Sequence, residues 1–284
     1  PPITDDVLSK IRATFIPRDN DIWLATYPKC GTTWIQNVLS HLVYGNTDAG
    51  QGPVQVGLRL ADDMLWLDAL CGIHGTDMII EHVNSMSRDR PRMFKSHAPL
   101  GLLEPVVAAN AKVIHVARNS KDVAVSFWHH TVAKNEPYEG DFQHFFEKLY
   151  MPGELESGSY FDFVLPYCKA TERWEAISKA DDVLPVTQVT TVWYEKMTSA
   201  PVATVLSLAA FLRQELSTEM ASDICEACSF DRMKSTELKH GTRLSSKTLV
   251  SDTENNHGDK DKACVSHIRK GGVGGWRDYL SEAQ

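Results

Sequence analysis

Ile22-Trp23-Leu24-Ala25-Thr26-Tyr27-Pro28-Lys29-Cys30-Gly31-Thr32-Thr33-Trp34 decides how this chain is read. Its first five residues form a short apolar run suited to a buried strand. After it, Ile35, Val38, Leu39, Leu42 and Val43 recur at helical spacing. Between the two, Gly31 lets the backbone approach an oxyanion, Thr32 and Thr33 offer hydroxyls, and the new helix presents free N–H groups at the positive end of its dipole. Lys29 adds a full charge. The stretch predicts a phosphate-binding turn between strand and helix, hence a nucleotide-type ligand, although a plain Pro-Gly turn would fit the string taken alone.

Composition bounds what such a turn can serve. The chain has 284 residues, 43% of them hydrophobic, enough for one large α/β domain. A formal net charge of −8 argues against general affinity for nucleic acid or anionic membranes, so anion binding must come from a few local Lys and Arg residues. No apolar run approaches the roughly 20 residues of a membrane span. The N-terminal residues lack the basic and apolar regions of a signal peptide, and a cytoplasmic protein is expected. The six cysteines show no secreted framework. Cys225-x-x-Cys228 with Cys264-x-x-His267 has the spacing of zinc ligands, but it equally suits a partly buried helix end, and no metal site is expected.

Strand-like runs at 22–26, 92–95, 113–117 and 186–193 alternate with helical patterns at 32–43, 120–132, 142–150, 160–178, 201–212 and 218–227. Such alternation predicts an α/β fold with a mostly parallel sheet covered by helices. No linker-like stretch divides the chain, so residues 1–284 read as one domain. Residues 45–57 read as a loop, and 239–262 as a lid over a binding site.

Two further segments repeat the anion-binding theme. Strand 113–117 ends in Arg118, where ligands collect in open α/β sheets, and Asn119 or Ser120 can cap the next helix, which carries Ser126. A solvated helix start with surface ion pairs explains Arg118, Lys121 and Asp122 as well. Near the end, Arg269-Lys270-Gly271-Gly272-Val273-Gly274-Gly275-Trp276 joins two cations to a flexible backbone able to wrap an anion. Between them, in Met93-Phe94-Lys95-Ser96-His97-Ala98-Pro99, Lys95 and His97 point to the same side if the strand geometry persists. His97 could take a proton from an acceptor, and Lys95 could hold developing negative charge.

Together these segments resemble the cytosolic sulfotransferase family, which moves a sulfuryl group from 3'-phosphoadenosine-5'-phosphosulfate (PAPS) to a small acceptor. The resemblance spans nearly the whole chain, with the motifs in family order. It implies a P-loop-like three-layer α/β/α fold. It also implies that Lys29, Gly31, Thr32 and Thr33, with Cys30 in the same loop, surround the 5'-phosphosulfate, and that Trp34 stacks near the adenine. Arg118, Ser126, Arg269, Lys270 and Gly271 would hold the 3'-phosphate. Tyr194 matches a nucleotide-contacting Tyr, and Ser229-Phe230 a pair beside the adenosine. Lys95 would sit near the transferring group, and His97 would be the general base. The product would be 3'-phosphoadenosine-5'-phosphate (PAP). The need for a metal is reduced because a sulfuryl group bears less charge than a phosphoryl group.

Three positions depart from the family pattern. Cys30 stands where Ser is usual and is expected to have a lowered thiol pKa beside the cations. Gly275 replaces an Asp and Ser96 a Thr. The chain ends at Gln284 without the terminal segment that carries the dimer contact in many relatives, so a monomer or weak homodimer is expected. A P-loop kinase would place Lys directly after a Gly and before Ser or Thr, whereas Lys29 precedes Gly31 by two positions. A catalytically silent PAP-binding relative is the other alternative. For the acceptor, Trp66, His82, Phe142, Phe145, Phe146, Tyr150 and the 239–262 lid are candidates. Their aromatic character suits an apolar or ring-containing molecule, and core packing explains most of them equally well.

Overall fold

In the computed structural model, which describes residues 5–45, 64–104, 107, 110–133, 138–179, 187–240 and 270–281, the run 22–26 is strand β1 (Ile22–Thr26), buried along its whole length. A continuous apolar run has no polar face to show to water, so it belongs in the middle of a sheet covered on both sides. β1 is indeed the central strand of five. The others are β2 (Leu65–Trp66), β3 (Met93–Ser96), β4 (Lys112–Ala117) and β5 (Gln188–Trp193), in the order β2-β3-β1-β4-β5 with every pairing parallel.

The helices follow in chain order. α1 (Asp5–Thr14) precedes β1, and α2 (Thr32–Tyr44) follows it. α3 (Leu67–His74), α4 (Thr76–Ser85) and α5 (Leu100–Leu103) flank β3. After β4 come α6 (Ser120–Val132), α7 (Phe142–Phe145) and α8 (Tyr160–Lys179). After β5 come α9 (Tyr194–Ser199), α10 (Pro201–Phe211), α11 (Thr218–Ala227) and α12 (Phe230–His240). Among the described residues, no helix is long and apolar enough to cross a membrane.

The chain winds to one side of β1 for β2 and β3, then to the other for β4 and β5. The direction reverses between β1 and β4, and at such a switch point the loops leaving the strand ends diverge and open a crevice. A buried pair at the opposite, amino end of the strands fixes their register. Asp21 and Arg92 are 0% and 1% exposed and meet through two bonds, Nε to Oδ1 at 2.8 Å and Nη2 to Oδ2 at 2.6 Å. Their backbones join the same end: Ile22 donates to the Arg92 carbonyl and Lys112 to that of Asp21. A one-residue slip would turn every strand residue to the wrong face, so this clamp protects the alignment of the far ends.

One face of the sheet packs Trp23 and Phe94 against Phe15, with edge-on rings at 5.9 and 5.5 Å. On the same face His115 stacks on Tyr167 of α8 at 4.5 Å. The expected elements form with small shifts, the strand at 92–95 running from Met93 to Ser96 and the helix at 120–132 matching α6. The segment 142–150 is one helical turn that passes into a π-helical turn, Phe146–Tyr150. Lys239 and His240, expected to open the lid, are the last residues of α12, and the rest of the lid lies outside the described residues. α1, β2, α3, α4, α5, α9 and α12 were not anticipated.

Candidate active site

The turn after β1 is built from backbone conformations few side chains adopt. Lys29 and Gly31 both have positive φ, 71° and 101°. At Gly31 this is also a packing necessity, because a Cβ there would lie 2.7 Å from Cδ2 of Tyr194. The reversal brings the chain into α2 with Gly31 at the cap and no side-chain cap bond, so the N–H groups of the first turn are left facing the mouth of the turn. Thr32, Thr33 and Trp34 are half-buried there. Trp34 is anchored by its Nε1, which donates to the Cys228 carbonyl at 2.8 Å, directly before Ser229 and Phe230.

Arg118 ties this turn to the C-terminal tail. It emerges from the end of β4, is 8% exposed, and donates from Nη1 to the Lys29 carbonyl and from Nη2 to the Gly272 carbonyl, both at 3.0 Å. Its guanidinium lies over the Tyr194 ring at 4.2 Å, and its buried Nε makes no hydrogen bond among the described residues. An orphaned buried N–H on a cation is a standing donor for an anion. Asn119 caps α6 by accepting from the N–H groups of Lys121 and Asp122. Asp122 in turn accepts from the N–H groups of Gly274 at 2.7 Å and Trp276 at 3.1 Å, holding the tail against the helix start. Trp276 also receives the Lys121 ammonium over its ring. At Gly275 a Cβ would meet only Asp122 Oδ1, at 3.9 Å, so packing does not demand glycine there.

Gly271 in the tail is constrained in the same way. Its φ is +65°, and a Cβ would overlap the Phe230 ring. The tail thus lies against Phe230 at the start of α12, with Lys270 exposed. Ser126 is buried on α6, and Arg269 falls outside the described residues. The structure therefore brings Lys29, Gly31, Arg118 and Tyr194 together at the turn, and Gly271 and Phe230 together at the tail, with Arg118 bridging turn and tail.

His97 lies just beyond β3, and its Nδ1 is 2.7 Å from the Thr26 carbonyl at the end of β1. Its ring edge meets Trp66 at 5.1 Å, and the Lys95 ammonium lies over the same indole at 4.5 Å, so Lys95 and His97 share a side as their spacing predicts. Burial lowers the Lys95 pKa to about 8, with Asp68 opposing the shift. Burial likewise raises Asp68 to about 6, against hydrogen bonds from the Ala69 N–H and the Ser96 hydroxyl and the charge of Lys95.

The expectation of an acidic Cys30 is corrected. Its thiol is fully buried, and loss of solvent raises its pKa to about 12, outweighing the opposing charge of Arg118. Cys228 is buried at the end of α11, and its proposed partners Cys264 and His267 lie outside the described residues. Of the acceptor candidates, Trp66 meets His97. Phe142, Phe145, Phe146 and Tyr150 are buried in an aromatic cluster under α6 and the tail, and His82 is exposed on α4. Thr26 and Asp122 were missed as parts of the site: the first reads as strand and the second as a surface charge, and no local spacing marks either.

A family model described as the sulfotransferase domain matches residues 19–284. Sulfotransferase 1B1 of Canis lupus familiaris is 31% identical over 272 residues, covering 95% of this chain and 81% of the relative. Sulfotransferase 1 family member D1 of Rattus norvegicus is 30% identical over 273 residues with the same shares. Among solved structures, mouse sulfotransferase SULT7A1 complexed with PAP aligns with a TM-score of 0.68 at 22% identity, over 99% of this chain and 86% of that one. Retinol dehydratase in complex with androsterone and PAP aligns at 0.66 and 20% identity, over 98% and 82%. These two share the fold.

Proposed function

The chain belongs to the sulfotransferase family and is a PAPS-dependent sulfotransferase, and we propose that it sulfates a hydroxyl or amine of a small molecule by in-line attack, with His97 as general base. The observation that carries this reading is the hydrogen-bond polarity of His97. A carbonyl oxygen can only accept, so Nδ1 must carry the proton toward Thr26, and in the neutral ring Nε2 holds the lone pair. That lone pair is what a general base needs.

As the acceptor oxygen or nitrogen attacks sulfur, its proton passes to Nε2. The bond from sulfur to the bridging oxygen breaks, and the electron pair stays on the departing 5'-phosphate of PAP. Lys29 and the N–H groups of Gly31, Thr32 and Thr33 stabilise that charge, while Lys95 faces the sulfuryl oxygens. Arg118, Ser126, Arg269, Lys270 and Gly271 hold the 3'-phosphate, and Trp34, Tyr194, Ser229 and Phe230 hold the nucleoside. Support for the first group comes from Arg118, whose Nε has no hydrogen bond among the described residues and which bridges the turn and the tail. No step in this reading calls on a metal. The Trp66 indole beside the base suits a ring-containing acceptor, and a solved structure of the same fold carries androsterone.

The test is a screen of phenols, alcohols and amines with labelled PAPS, using wild type and His97→Ala. General-base assistance is typically worth ~10²–10⁴-fold, so His97→Ala should lose turnover to that extent while PAP binding stays near wild type. Transfer that does not depend on His97 contradicts the assignment of the base, and PAP binding without transfer to any acceptor favours a silent binding relative.

A further inference from the structure

Thr26 is fully buried at the carboxyl end of β1, and its hydroxyl does more than fill space. Oγ1 lies 2.7 Å from the Thr32 hydroxyl at the start of α2 and 3.3 Å from His97 Nδ1. The carbonyl of the same residue is the closer acceptor for that Nδ1, at 2.7 Å. One residue therefore touches both the base and the donor-binding turn, through its backbone on one side and its side chain on both.

The donors and acceptors allow a chain that runs from His97 to Thr32. Nδ1–H is shared between the Thr26 carbonyl and hydroxyl, so Oγ1 accepts from His97 and has its own proton to give to Thr32. Thr32 Oγ1, having accepted, keeps its proton for a third group. At the uncapped first turn of α2, the group such a donor meets is an anion.

We propose that Thr26 is a positioning residue that couples the general base to the donor turn. The inference rests on the function proposed above. When Nε2 takes the acceptor's proton, the ring becomes a cation and Nδ1–H a stronger donor. The Thr26 and Thr32 hydroxyls are then polarised toward the phosphate oxygen on which charge is building. No proton travels along this chain. The two halves of the reaction, proton uptake at His97 and charge growth on the leaving group, stabilise one another through it.

The experiment compares Thr26→Val, which keeps the shape and the backbone carbonyl, with Thr26→Ser, which keeps the hydroxyl, in wild-type and His97→Ala backgrounds. Transfer from labelled PAPS is measured under single turnover, and PAP affinity by titration. Thr26→Val should lower the transfer rate about tenfold, the worth of one hydrogen bond to a charged group, and change PAP affinity about twofold or less. Thr26→Ser should recover most of the loss. In the His97→Ala background Thr26→Val should cost little more, because the partner it acts through is gone. Equal losses in both backgrounds, or no recovery with Ser, overturn the coupling. Wild-type protein that transfers no sulfuryl group, or whose transfer ignores His97→Ala, overturns the proposed function instead.

Discussion

A thiol among cations is ordinarily acidified, because positive charge favours the thiolate. At Cys30 the opposite force is larger: the side chain is fully buried, and Arg118 offsets only part of the desolvation that raises its pKa to about 12. The burial that disfavours the thiolate also keeps reagents away from it. Iodoacetamide should therefore modify the half-buried Cys168 and Cys225 in the native protein well before Cys30, and Cys30 should label at the same slow rate with and without PAP. Rapid native labelling of Cys30 that PAP suppresses would contradict its burial. The turn at 29–34 between a strand and a helix was legible because an apolar run ends there and helical spacing begins, with Gly31 at the reversal. The thiol's acidity was not legible, since it depends on how far the fold excludes water.

At the scale of elements, the start of α6 organises the tail. Asn119 closes the helix end, leaving Asp122 free to accept two N–H groups from residues more than a hundred and fifty positions away. These bonds hold the tail that carries Gly271 beside the start of α6. Hydrogen bonds to a charged group are worth roughly 1.5–3 kcal/mol, so Asp122→Ala should weaken PAP binding by at least about tenfold in a calorimetric titration while the protein remains folded. Unchanged affinity would show that the tail is held without Asp122. Long periodic elements were legible, including α6 to the residue, because a buried stripe leaves a pattern. β2, with two residues, has no room for one. α12 has a polar sequence, Phe230-Asp231-Arg232-Met233-Lys234, and its order depends on neighbours that composition does not reveal. The π turn at Phe146–Tyr150 arises where helical spacing continues but the hydrogen-bond register does not.

At the scale of the molecule, an acidic chain of net charge −8 concentrates a few cations at the switch point of a parallel sheet. The buried Asp21–Arg92 clamp aligns the amino ends of β1 and β3, and β4 joins the same end through Lys112. Alignment at one end fixes the other, where Lys29, His97 and Arg118 leave three different strands. The motifs were readable one at a time, and the family resemblance supplied their order. Their connections were not readable: the Arg118 bridge and the Thr26–His97 contact join residues 71 to 154 positions apart, which only strand register brings together. The proposed function requires two phosphate sites for one nucleotide in this assembly. Titration calorimetry compares PAP with adenosine 5'-phosphate, which lacks the 3'-phosphate. With two or more charge-assisted hydrogen bonds at the 3' site, PAP should bind wild type at least about a hundredfold more tightly, and Arg118→Ala should remove most of that difference. Equal affinities for the two nucleotides in the wild-type protein would mean that the chain has no 3'-phosphate site.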